Sequence, residues 1–155
     1  EIYLADVLWY SPEDEEVLGD AYSVDAAENA RALMEFREEM TSGECVLMLL
    51  SPQLYREVGE GLLPLSEVFG ADAARISADG YSVRLGDTDF YSYFTAAKVL
   101  PEDTLICMRD VSKMKIYGEG KGAEADEKCR SVFRDIVNFI DPTPPDATSA
   151  DDTAD

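Results

Sequence analysis

Asp87 and Asp89 stand one residue apart and follow an alternating segment, Tyr81, Val83 and Leu85 against Ser82 and Arg84. Carboxylates can act as general acids or bases or as ligands of a hydrated metal ion. In a plain turn the same pair would cap the segment that follows, since an Asp side chain accepts hydrogen bonds from nearby amides. Trp9 and Tyr10 close one apolar run, Ser51 and Pro52 follow another, and Arg109 ends a third. Rings, a hydroxyl at a helix start, two acids and an arginine are the ingredients of a small-molecule pocket. Lys98, with Lys113, Lys115 and Lys121, offers positive charge for an anion without a recognisable spacing, and Ser51 as a lysine-assisted nucleophile has none either.

The chain has no histidine. It therefore supplies no Ser-His-Asp or Cys-His nucleophile, no His-ligated zinc, no proximal haem ligand and no histidine pH switch. Chemistry based on carboxylates, Lys, Tyr or a hydrated metal remains open, as does pure binding. Asp and Glu number 33 against 13 Lys and Arg, a formal charge of -20. That field repels nucleic-acid phosphates and anionic lipid headgroups and favours cations and cationic surfaces. No cofactor and no metal site is implied. Cys45, Cys107 and Cys129 lie at wide spacing on apolar segments with no CxxC pair. They read as small buried hydrophobes; a bridge from Cys45 to Cys107 would need neighbouring strands with Cα atoms about 4.4 to 6.8 Å apart.

The elements that must position these residues follow from periodicity. Residues 2–10 read as a first strand, 13–20 as an exposed acidic loop, and 25–42 as an amphipathic helix capped by Ser23 or Asp25. Ser42-Gly43 predicts the stop, with glycine in the left-handed conformation. The wholly apolar segment 45–50 is the strongest buried-strand signal and suits a central position covered on both faces. Ser51-Pro52 predicts a short helix over 52–58, and Ser66 and Gly70 bound a single turn over 66–69. A half-exposed strand over 81–85, a short helix or turn over 90–99, a buried strand over 104–109 and a loop over 112–122 follow. Cys129, Val132, Phe133, Ile136, Val137 and Ile140 fall at helical spacing, and Pro142 ends that helix.

Strands alternating with helices predict an α/β layered fold, with a largely parallel or mixed sheet of about four strands flanked by helices in a single lobe. Residues 1–141 form that single domain, and residues 142–155, acidic and proline-rich, read as a disordered tail. In such sheets ligands bind at the carboxyl ends of the strands. Trp9, Tyr10, Ser51, Asp87, Asp89 and Arg109 are accordingly the candidate ligand-binding residues. No apolar run approaches the ~20 residues needed to span a bilayer. The sequence opens at Glu1, without a Met, directly into an apolar stretch, which predicts an upstream signal peptide or membrane anchor.

Asp87-Thr88-Asp89 resembles the DxDx[TV] motif of haloacid-dehalogenase-type phosphotransferases, with Tyr91 where that motif has Thr or Val. Residues 43–69, in which an apolar strand ends in a short helix followed by Leu-Pro-Leu, resemble a pattern of bacterial extracytoplasmic solute-binding proteins. With the helices over 25–42 and 123–140, the chain is similar to small membrane-anchored Gram-positive proteins that keep a single reduced lobe of that type. That resemblance implies a cell-surface location and a small molecule or cell-envelope protein as partner. The expected function is a non-enzymatic, extracytoplasmic recognition or sensing domain. The alternatives are a structural or protein-interaction module, marked by an exposed hydrophobic patch, and a metal-dependent hydrolase using Asp87 and Asp89.

Overall fold

The computed structural model describes residues 7–19, 23–70, 74–118 and 122–143. The expected first strand lies outside these residues over 2–6, as does the expected tail from 144 onward, while residues 7–10 join no strand.

The acidic stretch expected to be a loop is a helix, α1, Pro12–Leu18. Ser11 and Asp14 form a capping box: Ser11 Oγ accepts from the Asp14 amide at 3.1 Å, and Asp14 Oδ2 accepts from the Ser11 amide at 2.8 Å. Glu13, Asp14 and Glu15 occupy its first turn, where negative charge meets the positive end of the helix dipole. Helix α2, Ala26–Ser42, is capped by Asp25, which accepts from the amides of Ala27 and Glu28. Gly43 ends α2 at φ -79, so the left-handed stop expected there is not used. Glycine is needed for space instead, because a Cβ would stand 2.0 Å from the Glu39 carboxylate, which folds over to accept from the Cys45 amide.

Three strands form the sheet: β1, Leu47–Leu50; β2, Ser82–Arg84; and β3, Leu105–Met108. The order is β1-β3-β2 and both pairings are antiparallel, which corrects the expected parallel or mixed sheet of about four strands. The middle strand is β3, not the more apolar β1, whose Leu49 is 49% exposed at the sheet edge. The mistaken expectation has a physical origin. Strands apolar on both faces report that helices cover both faces, and this holds whichever way neighbouring strands run.

Both faces are indeed covered. Met48, Leu50 and Cys107 pack against Phe36 of α2 and against Leu54 and Val58 at α3, Pro52–Glu57. On the other side Val83, Ile106 and Met108 meet Val68 of α4, Ser66–Phe69, and Phe133 and Val137 of the closing helix α6, Ala123–Val137. Each large apolar side chain buried this way contributes about 1.5 to 3 kcal/mol before chain entropy is counted. Helix α4 starts from Leu65 without the side-chain cap expected of Ser66, and stops at Gly70, where φ is 77. A fifth short helix, α5, Asp89–Tyr93, precedes a 3-10 turn over Thr95–Val99, and two more such turns replace the expected loop at Val111–Lys113 and Lys115–Tyr117. Helix α6 ends before Pro142, leaving Ile140 outside the stripe and 79% exposed.

Candidate functional site

An antiparallel sheet alternates its strand ends, so the six residues gathered from sequence do not meet in one crevice. β1 ends at Leu50 opposite Leu105, whereas β3 ends at Met108 opposite Leu47. Arg109 continues that register opposite Val46, so Ser51 and Arg109 lie at opposite ends of the sheet, five residues or roughly 16 Å apart at about 3.3 Å per residue.

Most of the six hold the fold in place. Trp9 packs under the Phe36 core. The Tyr10 main chain is clamped by Asn29, whose Oδ1 accepts from its amide and whose Nδ2 donates to its carbonyl, both at 2.8 Å. Its side chain lines an open hollow of about 400 Å³ with Val24, Glu28 and Arg31. Ser51 caps α3, its hydroxyl accepting from the Leu54 amide at 3.2 Å. Asp87 pairs with Arg84 at 3.4 Å and Asp89 with Arg75 at 3.3 Å. Thr88, buried between them, donates to the Leu85 carbonyl and accepts from the Tyr91 amide, so the Asp-Thr-Asp segment forms the cap of α5. Arg109 is buried, and its guanidinium donates to the carbonyls of Glu39, Met40, Gly43 and Cys45 at 2.8 to 3.4 Å. Loss of hydration there draws its pKa down, against the opposing pull of the Glu39 carboxylate.

Two other places have the geometry of a binding site. The first is an aromatic face. Phe139, just beyond α6, stands 5.1 Å from Phe94, 5.3 Å from Tyr93 and 6.0 Å from Phe90, ring centre to ring centre. Arg75 holds the arrangement by donating to the Val137 carbonyl at 2.6 Å while pairing with Asp89 at the start of α5. Tyr93 and Phe94 are 42% and 38% exposed, and Ile140 and Val99 are more exposed still. Acids flank the rings along the chain: Asp89 precedes Phe90, and Asp135 and Asp141 bracket Phe139.

The second place is a cleft of about 410 Å³ between the end of α3 and the turn before β2, lined by Tyr55, Glu60, Leu62, Asp79 and Tyr81 among others. Tyr55 donates to Asp79 Oδ2 at 2.7 Å, while Asp79 Oδ1 accepts from Ser77 Oγ at 2.6 Å and from the Tyr81 amide at 3.0 Å. Ser77 and the buried Ser82 share a hydroxyl contact of 2.7 Å, tying the network to the sheet. Burial opposes ionisation of Asp79, but the bonds from Ser77 and Tyr55 outweigh it and hold the carboxyl below its usual range. Burial, then the bond to Asp79, pushes the Tyr55 phenol up.

From sequence, 90–99 reads as a short helix or turn with no ring singled out, and neither Tyr55 nor Asp79 is singled out. Their one local signal is the cap at Ser51, which fixes α3 and with it Tyr55. Among the described residues no group of three or more Cys, Asp or Glu is placed to hold a metal ion, and no helix is long and apolar enough to cross a membrane. No known family, curated protein or solved structure matches this chain.

Proposed function

We propose that this is a non-enzymatic recognition domain that docks a protein partner on the aromatic face of Tyr93, Phe94 and Phe139. The observation that supports it is the cluster itself: three touching rings left partly open to water, with the exposed Ile140 next to Phe139 in the chain. Aromatic side chains carry much of the binding energy at interfaces because they bury large area at little entropic cost.

Charge selects the partner. Among the described residues every arginine is engaged, with Arg31, Arg37, Arg56 and Arg84 on carboxylates and Arg75, Arg109, Arg130 and Arg134 on main-chain carbonyls. The surplus of acids is therefore left to face outward, and the partner is a basic protein surface carrying apolar side chains. Placement at the outside of a bacterial membrane is part of the proposal and rests on the resemblance of residues 43–69.

The test is calorimetric titration with a synthetic amphipathic Lys/Leu peptide, using Phe94→Ala/Phe139→Ala beside the unaltered protein. At least tenfold weaker binding by the double variant, with its circular dichroism unchanged, is the expected result. Equal affinity would remove the aromatic face from the reading. Protease treatment of intact cells tests the location: digestion only after lysis would overturn it.

A further inference from the structure

The cleft beside Asp79 has a composition that the aromatic face does not explain. Two tyrosines, Tyr55 and Tyr81, share it with two acids, Asp79 and Glu60, over an apolar floor at Leu62. The two basic residues on its rim are occupied elsewhere: Arg56 pairs with Glu13 of α1, and Lys113 pairs with Asp110 at 3.3 Å. Among the described residues the exposed Glu60 side chain has no hydrogen-bond or ion-pair partner. Asp79 keeps its negative charge, and its own hydrogen bonds fix it in position before any ligand arrives.

We propose that this cleft binds an organic cation, a primary ammonium or guanidinium group, between the Tyr55 and Tyr81 rings with Glu60 and Asp79 as its counter-charges. An aromatic face attracts a cation lying within about 6 Å of its centre, and fixed carboxylates add to that attraction without reorganising. A volume of about 410 Å³ exceeds the needs of a bare metal ion and suits a side-chain-sized ligand. A further space of about 230 Å³ adjoins the cleft, lined in part by the same Glu60, Gly61 and Lys113. Anions are disfavoured by the same two acids. The site is separate from the docking face and stands or falls independently of it.

The experiment is a titration of the whole chain with cadaverine, followed by the tyrosine ring signals in NMR, with 1-pentanol as the uncharged counterpart. Expected is a saturable shift of the Tyr55 and Tyr81 rings with cadaverine and none with pentanol. Glu60→Gln and Tyr81→Ala should each weaken that binding at least fivefold, and Asp79→Asn at least tenfold. Glu60 and Tyr81 are exposed, so those two variants decide the matter even if Asp79→Asn fails to fold. Glu38→Gln, on the exposed side of α2, should leave the affinity unchanged. Binding that falls equally in all variants, or that ignores Glu60 and Tyr81, would show only general attraction to an acidic protein and would overturn the proposal. Absence of any shift would overturn it too.

Discussion

The guanidinium of Arg109 donates to the main-chain carbonyl of Met40 at 2.8 Å, so the residue that follows the central strand closes the last turn of α2. A helix leaves its final carbonyls without partners, and a planar donor fork serves several of them at once. Arg109→Lys keeps the charge but loses the fork. It is expected to lower stability by about 2 to 4 kcal/mol in urea unfolding, because several main-chain carbonyls lose the donor that serves them and the buried charge loses its partners. The exposed Arg31→Lys should cost under about 0.5 kcal/mol. Similar losses for the two would show that Arg109 contributes only charge.

Burial of Tyr55 together with its bond to Asp79, and the bonds that Asp79 accepts from Ser77 and Tyr55, give stability a dependence on pH at both ends. Asp79 ionises more readily folded than unfolded, so its contribution is present above the ordinary carboxylate range and disappears as the pH falls through its lowered pKa. Tyr55 holds its proton more tightly folded than unfolded, so its contribution is full below about pH 10 and is lost as the pH rises further. Thermal midpoints of Tyr55→Phe should accordingly fall less steeply above pH 10 than those of the unaltered chain. Parallel alkaline slopes would contradict the assignment.

Cys107 lies fully buried opposite Met48, and burial, followed by the Asp79 charge, pushes its thiol up to about 12. Cys45 stands three residues before Met48, roughly 10 Å further along at about 3.3 Å per residue, beyond the reach of a disulfide. Alkylation under native conditions should modify Cys45 and Cys129, both half-buried, well before Cys107. A peptide linking Cys45 to Cys107, recovered from folded protein, would contradict the sheet register.

Phe133 is fully buried and meets Phe69 edge to face at 5.1 Å. Truncation to Ala should cost about 3 to 5 kcal/mol, the range for large aromatic side chains in cores. Phe94→Ala, at the open face, should cost clearly less while weakening peptide binding. The reverse order in chemical denaturation would place the core elsewhere.

Much of this layout was legible in the chain. Asp25, Ser51-Pro52 and the stripe through Phe133 and Val137 each carry a local instruction that tertiary contacts do not reverse. Strand direction was not legible, because Leu47 to Leu50 and Leu105 to Met108 are apolar on both faces under either arrangement. The acidic run at 13–16 misled since charge suggested a loop while a capping box favoured a helix. The cleft stayed hidden for a different reason. Tyr55 and Asp79 are 24 residues apart, and only the fold brings them within 2.7 Å.

The strand order has a consequence for how the chain is made. The strand to which both others bond is the last of the three to leave the ribosome, some twenty residues after β2. Until Leu105–Met108 emerges, β1 and β2 have no partner in the sheet, and the apolar segment at 47–50 waits through the synthesis of more than fifty residues. Closure over so long a loop slows folding relative to helical neighbours. In that interval α2 and α3, both encoded beside β1, are the elements available to shield it, and the nascent chain depends on them against aggregation.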